Sequence, residues 1–255
     1  MNQLTMRYFP AFDYAYKEAI NTLCTNLTFC GSEKKAIVLT STRESEGKSF
    51  LSHSILRVLA ELGCRVLLVD ADLRRSQAMA RYSIALSNRR GKGLAHYLAG
   101  MCTLDEVVYS TNVDNAYMIP VGKTVSNSLA LLRTPRLGEM ISRLKEEYDY
   151  VLIDAPPVGA IIDASEIARV CDGALIVVKY NLSSGSELAE SKKQIEWAGC
   201  EVLGAIINDV DLGSFSGRKY YNKKYYTKYT SEYGKPTKNS RKPPDVRRRR
   251  TERDR

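Results

Sequence analysis

The chain is poor in the residues that build metal-only or disulfide-held sites. It has two histidines, His53 and His96, and six cysteines at positions 24, 30, 64, 102, 171 and 200. No CxxC pair and no Cys/His metal spacing occurs, which argues against a zinc module or a dithiol redox centre. Several cysteines fall in apolar, helix-like stretches, where a thiol behaves as a small hydrophobe. Scattered thiols of this kind indicate a reducing, cytosolic compartment. No apolar run approaches the ~18 residues of a membrane span, and no secretory apolar region opens the chain.

Aliphatic residues all but vanish from about Gly213 onward. Residues 213–255 hold 15 Lys and Arg against 4 Asp and Glu, a net +11. The whole chain carries +9, so the other 212 residues stand at −2. A basic face on a folded body would point to nucleic acid. A basic, Pro-containing, aliphatic-poor tail reads instead as a flexible arm, and no nucleic-acid partner is expected. The arm includes "KYYNKKYYTKYTSEYGK", residues 219–235. Its six tyrosines (Tyr220, Tyr221, Tyr225, Tyr226, Tyr229 and Tyr233) lack the period and the Leu, Ile or Val neighbours of core aromatics.

What remains is a body with a real core. The chain has 255 residues and is 44% apolar, enough for one large α/β domain. Strands are expected at 36–40, 66–70, 117–121, 150–154, 175–178 and 202–208. Several are apolar throughout, as strands buried on both faces of a parallel sheet are. Helical patterns fill the gaps at 48–62, 135–147, 163–170 and 184–198. This alternation predicts a doubly wound, mostly parallel α/β sheet. Residues 1–33 read as an N-terminal helical segment, with an amphipathic helix over 14–29, outside the sheet. The expected organisation is thus 1–33, a nucleotide-binding body over 34–212, and the tail over 213–255.

In such sheets ligands bind beyond the carboxyl ends of the strands, and three motifs stand there. "TSTRESEGKSF", residues 40–50, ends in the Gly-Lys-Ser of a phosphate-binding loop. Main-chain N–H groups would cradle phosphates, Lys48 would reach their oxygens, and the Ser49 hydroxyl would ligate Mg²⁺. Thr42 stands where the loop's first glycine is usual. "VLLVDADLRR", residues 66–75, places Asp70 and Asp72 two apart, on one side of an extended segment. Two such carboxylates repel unless a cation or a proton intervenes, and Mg²⁺ suits them. "EYDYVLIDAPP", residues 146–157, ends an apolar strand in Asp154. Each motif alone admits a plainer role: a helix start, a cap with a salt bridge, a turn-capping Asp. Three such coincidences at three strand ends make Mg²⁺–nucleotide binding the better reading.

Together with the tyrosine-rich tail, these stretches resemble the bacterial tyrosine kinases that regulate capsule and exopolysaccharide synthesis. The resemblance covers most of residues 14–212 and extends to "GLAHYLAG" (93–100), "PVGK" (120–123), "PPVGAIIDASEIARVCDGALIVV" (156–178) and "GAIIND" (204–209). It implies a deviant P-loop NTPase fold and an ATP-dependent kinase that autophosphorylates the tail tyrosines in trans. ATP would lie on Thr42, Arg43, Glu44, Ser45, Glu46, Gly47, Lys48 and Ser49, with Asn208 at the adenine. Lys48, Asp70 and Asp72 would carry catalysis, Asp70 as the base. Ser49, Asp70, Asp72 and Asp154 would hold Mg²⁺. The implied partners are a separate membrane activator of the polysaccharide co-polymerase type and a protein-tyrosine phosphatase. The implied place is the cytoplasm, at the membrane through that partner. Competing readings are a septum-site or partition-type ATPase switch and a pseudokinase scaffold.

The sequence departs from the family pattern at three places. Glu44 and Ser45 replace a Pro-Gly in the loop, where a glycine would serve a positive φ. Glu44 also brings negative charge towards the phosphates unless it turns outward or pairs with Arg43, so reduced ATP affinity is expected. In "EAINTLCTNL" Glu18 remains, but Asn21 and Cys24 replace two arginines of a subunit contact. Self-association is therefore expected to be weak, with no secured ring. Ser76 stands where a proline is usual after the arginine pair.

Overall fold

The computed structural model describes residues 2–7, 12, 14–87 and 91–210. The sheet follows from the apolar runs. Strands β1 (Asn2–Met6), β2 (Ala36–Ser41), β3 (Val66–Asp70), β4 (Ile84–Leu86) and β5 (Tyr109–Ser110) come first in the chain. Strands β6 (Ala116–Ile119), β7 (Tyr150–Asp154), β8 (Gly173–Lys179) and β9 (Val202–Asn208) follow. The spatial order is β4-β1-β5-β6-β3-β7-β2-β8-β9. From β6 to β9 every pairing is parallel, and only β1/β4 and β5/β6 run antiparallel. Every residue of β2 and β3 is buried, as strands covered on both faces require.

The helices cover those faces. They are α1 (Tyr14–Thr28), α2 (Lys48–Glu61), α3 (Ala78–Arg81), α4 (Leu94–Leu98), α5 (Ser128–Leu132), α6 (Pro135–Glu147), α7 (Asp163–Ala168) and α8 (Gly185–Trp197). The period of two along a strand divides the core. Ala36 and Val38 join the layer that includes residues of α4, α6 and α7. Ile37 and Leu39 join the layer under α1 and α2. The doubly wound, mostly parallel sheet is thus the one expected, and the long helices start and end within about two residues of their expected bounds.

The N-terminus is a correction. Residues 1–33 were expected outside the sheet, yet β1 pairs parallel with β5 and antiparallel with β4. Leu4 and Met6 point inward and are buried. An alternation with only two apolar residues is too short to announce a strand by itself. Helix α1 does lie outside the sheet, but Ile20, Cys24 and Leu27 pack into the same core. One compact unit runs from Met1 to Asp209. The expected tail and its six tyrosines lie outside the described residues. Among the described residues no helix is long and apolar enough to cross a membrane.

Candidate active site

Strands β3, β7 and β2 are consecutive in the sheet, so their carboxyl ends form one ledge. The register places Asp70 directly beside Asp154 and Asp154 beside Leu39. Both carboxylates are almost fully buried. The chain leaves β2 through residues 42–47 and enters α2 at Lys48. A cleft opens over this ledge, lined by Gly47, Lys48, Ser49, Asp70, Asp72 and Asp154.

The loop is held by its own side chains. Ser41 Oγ donates to the Arg43 carbonyl at 2.7 Å. Glu46 is buried and turned away from the cleft. Its carboxylate accepts from Arg43 N at 2.7 Å, from Lys179 N at 3.2 Å and from the Ser183 hydroxyl. Gly47 has φ +91°, and a Cβ there would stand 2.1 Å from Asn208 Nδ2. Glycine is required twice over, for the backbone and for the contact. Ser45 has φ +64° without being glycine. This is the strained position foreseen at the Pro-Gly replacement.

The expected nucleotide-binding residues therefore divide. Glu44, Ser45, Gly47, Lys48 and Ser49 line the cleft. Thr42, Arg43, Glu46 and Asn208 do not line it. Arg43 pairs with Glu187 on α8, not with Glu44. Asn208 Nδ2 donates to the Glu46 carbonyl at 2.9 Å. Glu44 pairs with Arg75 at 2.8 Å, and both side chains are exposed.

The arginine pair after Asp72 splits in the same way. Arg74 turns inward and binds the buried Asp163 at 2.9 Å, which also accepts from the Ser128 hydroxyl. Arg75 turns to the cleft. Asp72 has the capping role the sequence allowed, and it also faces the cleft. Its Oδ1 caps the turn by accepting from Arg75 N at 2.9 Å, and its Oδ2 stands 3.9 Å from Lys48 Nζ. Ser76, in place of a proline, donates its hydroxyl to Asp70 Oδ2. Gln77 and Arg81 also line the cleft and were not singled out from sequence. No motif marks them, because a four-residue helix carries too little pattern.

Electrostatics here are dominated by burial. Burial, then the Asp154 and Asp72 charges, push the Asp70 carboxyl up to about 7, while the Ser76 hydroxyl acts in the opposite sense. Asp154 is also raised, mainly by burial, against the Lys48 charge and a hydrogen bond from the Ser49 side chain. Its Oδ1 is buried with no hydrogen-bond partner. Such an orphan oxygen beside a second carboxylate and a serine hydroxyl fits a divalent cation. Among the described residues no three His, Cys, Asp or Glu side chains cluster as a metal cage. A Mg²⁺ site needs no such cage, because the ion keeps waters and takes phosphate oxygens.

Sheet order, loop and carboxylate ledge define the class: a P-loop nucleotide-binding domain of the deviant type. Residues 34–197 match the family described as "AAA domain". The chain is 37% identical over 195 residues to the tyrosine-protein kinase CpsD of Streptococcus agalactiae, covering 76% of this chain and 83% of that protein. Among solved structures it resembles the kinase domain of the Escherichia coli tyrosine kinase ETK. That match has TM-score 0.71 and 30% identity, and covers 76% of this chain and 75% of the other. The septum site-determining protein MinD from Pyrococcus horikoshii, solved with Mg-ADP, is more distant. It has TM-score 0.58 and 25% identity, with 68% and 69% covered. The chain belongs to the bacterial tyrosine-protein kinases.

Proposed function

We propose that this kinase transfers the γ-phosphoryl group of Mg-ATP to tyrosines of its own C-terminal segment, between copies of the chain. One observation carries the reading: Asp70 and Asp154 sit side by side next to Lys48 and Ser49, and one Asp154 oxygen has no partner. Lys48 neutralises phosphate oxygens and Gly47 lets the backbone approach them. Ser49 and Asp154 hold the Mg²⁺, with Asp72 acting directly or through water. The cation supplies charge neutralisation on the phosphates. Asp70 accepts the phenolic proton. A free phenol has a pKa near ~10, so a carboxylate raised towards neutrality is a better-matched base than an ordinary one. Asn208 gives one Nδ2 hydrogen to the loop, which leaves its Oδ1 and its second Nδ2 hydrogen for a base contact.

The wider setting follows from the same reading. The kinase works in the cytoplasm, recruited to the membrane by a separate activator of the polysaccharide co-polymerase type. A protein-tyrosine phosphatase reverses its modification, and the output is control of capsule or exopolysaccharide synthesis. Two loop features favour a second reading, a scaffold that binds nucleotide weakly. They are Ser45 in the left-handed region and the acidic Glu44 at the cleft.

The test is incubation of purified wild type, Lys48→Met and Asp70→Asn with Mg-ATP, with and without the activator's cytosolic segment, followed by phosphotyrosine mapping. Each substitution should cut labelling by at least about a hundredfold while the fold survives. Wild-type-like labelling in either variant sinks the assignment. ATP turnover without tyrosine labelling favours the ATPase switch, and no nucleotide binding favours the scaffold.

A further inference from the structure

The backbone carbonyl of Ser49 is a point of convergence. His53 Nδ1 lies 2.7 Å from it, Ser52 Oγ donates at 3.0 Å and Tyr82 Oη donates at 3.1 Å. A carbonyl can only accept, so His53 carries its proton on Nδ1. The His53 and Tyr82 rings stack with centroids 3.9 Å apart and planes 21° apart. Both side chains are buried. Burial holds the His53 imidazole neutral, down to about 4, and pushes the Tyr82 phenol up, so both remain neutral donors. His53 Nε2 has no partner, so the ring is oriented by its Nδ1 bond and the stack alone.

Ser52 and His53 belong to the same turn of α2 as Ser49, and such back-bonds are local. Tyr82 is different. It lies 33 residues away, at the C-terminal cap of α3. The segment between the second motif and Tyr82 is tied at both ends to the site. Ser76 bonds Asp70, and Tyr82 bonds the carbonyl of the serine that offers its hydroxyl to the metal.

We propose that Tyr82, stacked on His53, is a positioning residue that fixes Ser49 for Mg²⁺ and so sets the metal affinity of the nucleotide complex. The proposal rests on Ser49 as a Mg²⁺ ligand. Its reasoning is geometric. Mg²⁺ demands near-ideal octahedral positions, whereas phosphate cradling by several N–H groups tolerates small shifts. Three side chains on its carbonyl fix the Ser49 backbone, and the side-chain hydrogen bond to Asp154 orients the hydroxyl from that fixed point. Loss of the Tyr82 bond should therefore weaken the metal-dependent part of binding and spare the rest.

Tyr82→Phe tests this, because it removes only the hydroxyl and keeps the stack. The first readout is the dissociation constant of a fluorescent ATP analogue, in Mg²⁺ and in EDTA. The second is the Mg²⁺ concentration giving half-maximal tyrosine phosphorylation. The variant should weaken binding in Mg²⁺ and raise the half-saturating Mg²⁺ by about three- to tenfold, the worth of one hydrogen bond. Binding in EDTA should stay within about twofold. Equal weakening in both buffers, or no change in either, overturns the proposal. Ser49→Ala separates it from the reading of the site. If that variant keeps wild-type Mg²⁺ dependence, Ser49 is no ligand and the site reading fails. If Ser49→Ala loses the dependence while Tyr82→Phe does not, only the clamp fails.

Discussion

Asp70 shows how one residue can serve the reaction at a cost to the fold. Its carboxyl is buried, faces Asp154 across adjacent strands, and is raised to about 7. In the unfolded chain the same group titrates near 3.8. Between these values the folded state binds more protons than the unfolded one, so stability falls as pH rises through that window. Asparagine keeps the shape and removes the titration. In EDTA at pH 7.5, Asp70→Asn should raise stability by roughly 1–3 kcal/mol, seen as a higher thermal midpoint, although it abolishes phosphotransfer. A lower midpoint than wild type would show that the carboxylate is compensated in the fold and not strained. Mg²⁺ with nucleotide should narrow the difference, because a cation favours the ionised pair.

At the scale of the element, the loop from β2 to α2 combines two unlike parts. One is held from behind by Glu46, Asn208 and the Arg43–Glu187 pair. The other faces the cleft and carries Ser45 at φ +64° and Glu44 bound to Arg75. An L-residue in the left-handed region costs about 1–2 kcal/mol. Ser45→Gly should relieve that strain and let the backbone close on phosphates. We expect about two- to fivefold tighter ATP binding by calorimetry, with the gain limited by the extra freedom glycine brings to the unliganded loop. Weaker binding would mean that the serine side chain contributes to the nucleotide site. The Glu44–Arg75 pair is exposed, and exposed pairs contribute little to stability. Its influence falls on the charge at the cleft mouth.

At the scale of the whole molecule, the cationic segment 213–255 would give the proposed reaction a consequence. Each phosphotyrosine adds about −1.5 to −2 charge, so six would add about −9 to −12 against the segment's +11. Full modification would roughly cancel its attraction to acidic clefts and anionic lipid, and salt should weaken that attraction in the unmodified state. Replacing Tyr220, Tyr221, Tyr225, Tyr226, Tyr229 and Tyr233 with Phe should abolish ATP-driven release from anionic vesicles and from the activator segment. Equal release by wild type and the six-Phe variant would exclude the segment as the switch. Asn21 and Cys24 stand where the family pattern has arginines, but Cys24 is fully buried beside the sheet. An arginine there would bury an unpaired charge and destabilise the body. Only Asn21, which bonds Glu18 on the same helix, is available as a surface position.

Much was legible in the sequence because its signals are local. Apolar runs of four to seven residues, most of them followed by a helical period, dictate buried parallel strands with crossovers. A Gly-Lys-Ser start to a helix and Asp at two further strand ends mark where ligands bind in such a sheet. Strand β1 escaped because two inward residues are too few to show a period. Which strands became neighbours was not local information. Only the order β3-β7-β2 brings Asp70 beside Asp154 and both beside the loop. Side-chain direction also needed the fold. Arg74 and Arg75 are adjacent in sequence, yet one binds buried Asp163 and the other reaches Glu44. Tyr82 reads as an ordinary aromatic until the chain folds back and sets its hydroxyl on Ser49. Periodicity and strand-end chemistry are written residue by residue. Pairing, burial and contacts across tens of residues exist only once the whole chain has closed around its core.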